Sequence, residues 1–358
     1  MPSTLPPHRI AQVLSGHELA VDPLRTRQVA LIGYGNQGRA HALNLRDSGV
    51  RVRVGGRPGS PARARAQAEG FTTLDTPEAV KGAELVILAL PDQVHGAVWT
   101  SQVLPALAPG QTVGFLHGFS VHFGFVQVPA GIGCVLVAPK GPGTTLRQRF
   151  EQGQGIPALL AVHQECAGAP GGGATSFELA KAWAAGIGCG RAAVVPTTFR
   201  DECETDLFGE QAVLCGGMLT LARAAYETLV EAGYPPLLAY TECIQEIKQV
   251  ADLLYERGPS GMRAAISDTA EFGAYTAQQA LDDEALRTRL RAMLARVRDG
   301  SFARDFQRDH DAGFPWFNAQ RAAADAHPME GSGRETRALT PWLRASTTDG
   351  DASKDGTA

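Results

Sequence analysis

The sequence predicts an α/β protein in which a doubly wound sheet domain is followed by an all-helical domain. Up to about residue 197, short apolar runs alternate with helical stretches and are punctuated by Gly or Pro. Beyond that point strand patterns cease and long helical periodicities continue. We expect the sheet domain at 26–197 and the helical domain at 198–344. Residues 345–358 are polar and small, which predicts a disordered tail.

Composition and charge limit the partners that this chain can have. The 358 residues are 44% hydrophobic, enough for two domains with real cores, and the net charge of -4 offers no basic footprint for nucleic acid or an anionic membrane. Six scattered cysteines are typical of free thiols in a reducing compartment, and the N-terminus lacks the apolar core of a secretory signal. The longest apolar run is too short to span a bilayer. We expect a cytoplasmic protein without a membrane segment.

The first apolar run, residues 28–32, leads into a glycine-rich loop. Its residues are Gly33, Tyr34, Gly35, Asn36, Gln37 and Gly38. A helical pattern and a second strand at 50–54 follow, and this is the context in which a G-x-G-x-x-G loop binds the pyrophosphate of a dinucleotide. A tight turn without a ligand is the alternative, but it leaves three glycines unexplained. The order predicts a Rossmann-type domain with these six residues at the cofactor.

The end of the second strand predicts which dinucleotide binds. An NAD site usually carries an acid about twenty residues past the glycine loop. Residues 55–60 contain no acid and instead offer Arg57 and Ser60, with Arg63 just beyond. A cation and a hydroxyl suit a 2′-phosphate, so NADPH is the predicted cofactor. A solvated basic loop is the alternative.

Later strands are predicted at Leu85–Leu90, Thr112–Leu116, Cys134–Val137 and Ala158–Val162. In doubly wound sheets, functional side chains gather beyond the carboxyl ends of strands. The residues that fall there are Pro91 and Asp92, His117, Lys140 and Gly143. We predict Pro91, Asp92, His117 and Gly143 at the cofactor, and His117 with Lys140 as catalytic candidates. Each of them, taken singly, suits an ordinary loop equally well.

Two pairs of acids stand where helices are predicted. Asp206 and Glu210 are four residues apart, about 40° around a helix, on a stripe that continues through Val213 and is expected to face inward. Neighbouring acids on a buried face repel each other and lose hydration, which is unfavourable unless a cation such as Mg²⁺ lies between them. A solvated acidic helix start is the alternative. Glu242 and Glu246 repeat the spacing beside an apolar stripe, so two pairs could build a two-metal site.

Together these motifs resemble the ketol-acid reductoisomerases, also called acetohydroxyacid isomeroreductases, of branched-chain amino-acid biosynthesis. The resemblance covers about Val29 to Leu343, and the length resembles the short form of the family, which has a single helical domain. The segments that carry it are the glycine loop with residues 40–49, residues 117–119, 138–143 and 204–211, the helix of Glu242 and Glu246, and residues 266–271.

The resemblance implies a metal site shared between subunits. Asp206 would bridge two Mg²⁺ ions, with Glu210 completing the ligands of one. Glu242 and Glu246 would come from the partner subunit, and Glu246 would also count as catalytic. A homodimer or larger homo-oligomer with shared active sites is therefore expected.

The resemblance also implies the reaction. Ser267 would hold the carboxylate of a small-molecule substrate, while Lys140 and His117 would support the polar network between substrate and nicotinamide. The expected activity is Mg²⁺-dependent alkyl migration in 2-acetolactate or 2-aceto-2-hydroxybutanoate, followed by NADPH reduction to the 2,3-dihydroxy acid.

Departures from the family pattern leave two other functions open. Asp268 stands where the family has Asn, Ala265 replaces a Ser, and Ala62 replaces a common second hydroxyl in the phosphate loop. These changes suit a divergent paralogue that reduces or rearranges another branched 2-keto or ketol acid in a specialised pathway. A catalytically silent NADP-binding sensor is the third possibility, and the four intact carboxylates oppose it.

Overall fold

The computed structural model describes residues 13–166, 174–340 and 342. The chain divides into two compact units, Met1–Cys203 and Glu204–Ala358. The first unit carries the sheet and the second is helical, so the predicted fold class is confirmed. The unit boundary falls inside a helix that begins at Phe199, a few residues after the limit predicted from sequence. The predicted tail at 345–358 lies outside the described residues.

The sheet of the first unit has eight strands. They are β1 Gln28–Ile32, β2 Arg51–Gly55, β3 Thr72–Leu74, β4 Leu85–Leu88, β5 Thr112–Phe115, β6 Gly133–Pro139, β7 Ala158–Gln164 and β8 Val194–Pro196. The strand order is β3-β2-β1-β4-β5-β6-β7-β8, and every pair is parallel except β6 with β7. The order reverses between β1 and β4, the place where such sheets bind a dinucleotide.

Helices cover both faces of this sheet. They are α1 Asp22–Arg25, α2 Asn36–Asp47, α3 Pro61–Ala68, α4 Thr76–Val80, α5 Asp92–Val98, α6 Phe119–His122, α7 Gly143–Glu151 and α8 Ser176–Gly186, with short 3-10 turns at Gly16–Glu18, Leu104–Ala106 and Cys189–Arg191 and a π turn at Trp99–Val103. Successive side chains of a strand point to opposite faces of the sheet, and each face has its own hydrophobic core. Leu31 packs with Trp183 on one face, and Ile32 packs with Phe115 on the other. The predicted site residues at the strand ends thus follow strands that are packed on both faces.

The remaining helices run from the end of the first unit through the second. They are α9 Phe199–Gly209, α10 Gly216–Glu231, α11 Pro236–Tyr240, α12 Ile247–Arg263, α13 Asp268–Leu281, α14 Glu284–Arg298, α15 Ser301–Asp311, α16 Pro315–Asp325 and α17 Pro328–Ala338. A kink interrupts α12 at Gly258, whose φ is +68°. Among the described residues, the second unit has a small core around Tyr226, Ala239, Tyr240 and Met329.

Much apolar surface of the second unit is exposed in the single chain. Val213 is 61% exposed and Tyr255 is 76% exposed. The stripe of Asp206 and Val213 was predicted to face inward. This prediction is wrong for the single chain, because the described residues do not bury the stripe. Among the described residues, one helical stretch, Phe199–Glu231, is long and apolar enough to cross a membrane; a single stretch of this kind is weak grounds for a membrane span.

A buried histidine in the first unit makes stability depend on pH. The indole Nε1 of Trp183 donates to Nδ1 of His41 at 3.0 Å, and burial lowers the pKa of His41 to about 3. In the unfolded chain the pKa is about 6.5. Between these two values the unfolded chain binds the extra proton, so stability falls as the pH drops below about 6.5.

Replacing this histidine should flatten the acid dependence of stability. We expect His41→Gln to lose less stability than the unmodified protein between pH 7 and pH 4.5, by roughly 2–3 kcal/mol. Urea unfolding at both pH values, at one protein concentration, measures the difference. Parallel pH curves for the two proteins would contradict the prediction.

Candidate active site

The three glycines of the loop after β1 have distinct structural roles. Gly33 has φ +96°, and a Cβ there would lie 2.5 Å from the carbonyl oxygen of Ala89. A Cβ at Gly38 would lie 2.8 Å from the carbonyl oxygen of Gly33, whereas Gly35, at the N-terminus of α2, has nothing within 4 Å of that position. The loop thus combines a tight turn, close packing and an open approach to backbone amides, which fits a pyrophosphate.

Tyr34 contributes to this loop through its backbone. Its side chain is buried, its hydroxyl donates to Glu69, and its ring packs edge-to-face on Phe71. Burial, with the hydrogen bond to Glu69, raises the pKa of Tyr34 far above its ordinary value. Of the six predicted loop residues, Tyr34 therefore turns its side chain into the core.

The segment after β6 packs directly on the glycine loop. Gln37 Nε2 donates to the carbonyl oxygen of Gly141 at 2.9 Å. A Cβ at Gly143 would lie 2.3 Å from the carbonyl oxygen of Asn36, so only glycine allows this approach. Asn36, Gln37 and Gly143, predicted as cofactor residues from separate motifs, therefore lie together.

At the end of β2, the structure separates the two predicted arginines. Arg57 is exposed on the loop, and Ser60 caps α3 by accepting from the backbone N–H of Arg63 at 3.3 Å. The guanidinium of Arg63 pairs with Asp75 and donates to Gly56 O. The charge of Arg63 is thus matched within the protein. The contact of Arg57 and Ser60 with a 2′-phosphate stays a prediction.

A buried acid that the sequence analysis did not single out joins two predicted catalytic residues. The carboxylate of Glu202 is 1% exposed. It accepts from Lys140 Nζ at 2.8 Å, from the backbone N–H of Gly118 at 2.8 Å and from His117 Nδ1 at 3.1 Å. The ends of β5 and β6 are therefore tied together by the first turn of α9.

Charge pairing sets the ionisation of this cluster. Burial raises the pKa of Glu202, but hydrogen bonding to His117 and the charges of His117 and Lys140 outweigh it, so the pKa falls below its ordinary value. Burial lowers the pKa of His117, but hydrogen bonds with Cys203 and Glu202 outweigh it and raise the pKa well above 6.5. At neutral pH the carboxylate of Glu202 therefore lies between two cationic donors.

Three acids recur at four-residue intervals from α9 into the turn that follows it. Glu202, Asp206 and Glu210 share one stripe of the helix, so the missed acid could have been found by extending the spacing of Asp206 and Glu210 one turn back. A π turn, Glu210–Leu214, follows, closed by Cys215 N–H donating to Glu210 O at 2.9 Å. Asp206 is half-buried and Glu210 is exposed.

The second acid pair also lies on a π turn. This turn, Thr241–Gln245, is closed by Glu246 N–H donating to Thr241 O at 3.2 Å. Glu242 and Glu246 are both exposed. Such turns occur frequently at functional sites in helices, because the widened turn redirects side chains. With three of the four predicted metal ligands exposed, the part of the chain that the structure describes does not enclose the predicted metal site.

The other predicted residues lie at helix starts. Pro91 and Asp92 begin α5, directly after β4. Ser267 caps α13 by accepting from Ala270 N–H at 3.2 Å, and it is exposed. The substrate role predicted for Ser267 stays a prediction.

Comparison with known proteins decides the family. A model described as "Acetohydroxy acid isomeroreductase, NADPH-binding domain" matches residues 23–193, and one described as "Ketol-acid reductoisomerase, C-terminal domain" matches residues 199–342. The chain belongs to the ketol-acid reductoisomerase family. It is 46% identical over 340 residues to the ketol-acid reductoisomerase (NADP(+)) of Beutenbergia cavernae (strain ATCC BAA-8), covering 95% of this chain and 98% of that protein.

Other members of the family extend the comparison. The ketol-acid reductoisomerase (NADP(+)) of Campylobacter hominis is 44% identical over 321 residues, covering 90% of this chain and 93% of that protein. The solved structure of an NADH-preferring ketol-acid reductoisomerase from an uncultured archean superimposes with a TM-score of 0.87 at 36% identity, covering 92% and 99% of the two chains. These matches span essentially the whole of their proteins.

Family membership confirms several predictions. The predicted function, ketol-acid reductoisomerase in branched-chain amino-acid biosynthesis, is confirmed, and the alternative of a divergent paralogue is not supported. The enzyme is an NADP-dependent oxidoreductase, and its first domain is an NADPH-binding domain.

Proposed function

We propose that this ketol-acid reductoisomerase catalyses Mg²⁺-dependent alkyl migration in 2-acetolactate or 2-aceto-2-hydroxybutanoate, followed by NADPH reduction to the 2,3-dihydroxy acid. The observation that carries the proposal is the anchoring of His117 and Lys140 by buried Glu202 on the same helical stripe as Asp206. Glu202, which holds the two cationic donors, and Asp206, which offers a hard oxygen ligand, thus lie one turn apart on α9.

The donor set suits the proposed metal. Asp206, Glu210, Glu242 and Glu246 supply only carboxylate oxygens, the ligands that Mg²⁺ takes, and two pairs suit two ions. When bound, Mg²⁺ would polarise a ketone and a neighbouring alkoxide.

The residues of the chain itself supply the rest of the proposed chemistry. Lys140 and His117, fixed by Glu202, are charged donors that stabilise negative charge on substrate oxygens without reorganising. Ser267 would hold the substrate carboxylate. The glycine loop, with Pro91, Asp92 and Gly143 beside it, would hold the dinucleotide so that hydride reaches the new 2-keto group.

The proposed assembly is a homodimer or larger homo-oligomer with active sites shared between subunits. The exposed apolar residues of the helical unit support it: Val213, Leu214, Met218, Leu219 and Leu221 follow Glu210, and Val250, Leu254 and Tyr255 follow Glu246. Surface of this extent normally marks a protein interface. We further propose a cytoplasmic enzyme that acts on small molecules and binds neither nucleic acid nor membrane.

The proposed reaction is tested by comparing two substrates. The purified enzyme with Mg²⁺ should oxidise NADPH when given 2-acetolactate and form the 2,3-dihydroxy acid, identified by mass spectrometry. Turnover of a simple branched 2-keto acid without turnover of 2-acetolactate would show a reductase that lacks isomerisation, and would overturn the proposal.

The loop after β2 should determine the preference between NADPH and NADH. Arg57→Asp removes a cation from a 2′-phosphate and adds a repelling acid, so the NADPH-to-NADH ratio of kcat/KM should fall by roughly 10–100-fold. Steady-state kinetics with both cofactors measures it.

Arg51→Asp, at the opposite end of β2, is the matched control. It makes the same change of charge and should leave the ratio within about twofold. An unchanged NADPH-to-NADH ratio of kcat/KM in Arg57→Asp would show that this loop does not bind the 2′-phosphate.

A further inference from the structure

Two buried side chains connect the turn after β4 with the turn after β5. His95 in α5 is 3% exposed, Ser120 in α6 is fully buried, and His95 Nδ1 lies 2.7 Å from Ser120 Oγ. Helix α5 begins at Asp92, a predicted cofactor residue, and α6 begins two residues after His117. This hydrogen bond therefore joins the two turns, yet the proposed reaction uses neither side chain.

The same imidazole also contacts the β4 turn itself. Its Nδ1 lies 3.8 Å from Oδ1 of Asp92, two residues after Leu90. Leu90 in turn packs on the glycine loop, since its Cδ2 lies 2.9 Å from the position of a Cβ at Gly33. His95 therefore lies beside the same turn whose Leu90 packs on the glycine loop.

Packing alone does not account for a histidine at this position. The ring packs edge-to-face on Phe115, at the end of β5, with centroids 5.9 Å apart. Its Nε2 is shielded from solvent and has no hydrogen-bond partner among residues 13–166, 174–340 and 342. A leucine or phenylalanine would pack there without an unpaired nitrogen, so the bond from Nδ1 to Ser120 explains the residue better than apolar packing does.

We propose that His95 is a positioning residue that holds the cofactor turn, Leu90–Asp92, at a fixed distance from the turn of His117. It acts through its hydrogen bond with Ser120 and touches neither substrate nor cofactor. This inference rests on the proposed function, which assigns Asp92 to the cofactor and His117 to the substrate. Loss of the link should loosen both turns, because the hydrogen bond is a buried polar contact between them.

Breaking the link should affect cofactor binding and turnover together. In His95→Leu and in Ser120→Ala we expect the NADPH Kd, titrated by fluorescence without substrate, to rise about fivefold and kcat to fall about tenfold. In the double variant, kcat and the NADPH Kd should be no more impaired than in the more impaired single variant, since both changes remove the same contact. His95→Gln retains a polar group for Ser120 and should recover at least half of each loss.

His41→Leu is the matched control, because His41 is equally buried and bonds Trp183 away from both turns. It should lower the melting temperature while kcat and the NADPH Kd stay within about twofold of the unmodified enzyme. If His95→Leu behaves in the same way, the proposal is overturned. If His95→Leu does not fold, unchanged kcat and Kd in Ser120→Ala overturn it.

The turnover assay and the NADPH titration test the proposed function and the positioning role of His95 separately. An unmodified enzyme that fails to turn over 2-acetolactate refutes the proposed reaction, whereas the NADPH titration needs no ketol acid. An unaltered NADPH Kd in folded Ser120→Ala and His95→Leu would then overturn the positioning role by itself.

Discussion

Asp206→Asn should reduce turnover of 2-acetolactate by at least about a thousandfold while NADPH still binds. The substitution keeps the shape of the side chain but removes the charge that a Mg²⁺ ligand would need, and the loss of several kcal/mol of charge stabilisation corresponds to that factor. The glycine loop belongs to other elements and is untouched. NADPH oxidation gives the rate, and fluorescence titration gives the NADPH Kd.

Asp201→Asn is the matched control for this change. Asp201 lies on the same helix, is exposed and pairs with Arg200. Its rate should stay within about twofold of the unmodified enzyme. More than a tenth of normal activity in Asp206→Asn at saturating Mg²⁺ would remove Asp206 from the proposed metal site.

Mixing two inactive variants should restore activity. Asp206→Asn and Glu246→Gln each destroy a different acid pair. If each site takes Asp206 from one subunit and Glu246 from its partner, a mixed dimer regains one complete site of two. Random exchange makes half of the dimers mixed, so we expect recovery to about a quarter of normal activity.

A mixture of Asp206→Asn with Glu210→Gln controls for the exchange itself. These residues lie on one helical stripe of one chain, so no mixed dimer has a complete set and no activity should return. Absence of recovery in the first mixture, after subunit exchange has been verified by mass spectrometry of tagged chains, would place all four acids in one subunit.

The parts of the fold that sequence predicted are those governed by local residues. The run from β1 through the glycine loop to α2 follows from apolar strand residues and three glycines with distinct steric roles. The strands β3 and β8 were missed because each has three residues and neither is fully buried. The reversed direction of β7 depends on its pairing with β6, which spacing along the chain does not encode.

The candidate site was predicted in pieces, and tertiary contacts joined them. Glu202 is one acid among several on α9, and only the approach of Gly118 and Lys140 from two strands gives it a role. The inward stripe through Val213 was predicted from an amphipathic pattern, but that pattern does not tell whether the apolar face meets its own core or another subunit. The π turns likewise depend on longer-range packing.

Magnesium dependence of the coupled reaction tests whether the enzyme needs the metal for alkyl migration. NADPH oxidation with 2-acetolactate should be measured in Mg²⁺ and again after chelation, with formation of the 2,3-dihydroxy acid followed in both. We expect product and oxidation to appear together with Mg²⁺, to disappear with excess chelator and to return when Mg²⁺ is restored. Full turnover of 2-acetolactate in excess chelator would contradict the proposed Mg²⁺-dependent reaction.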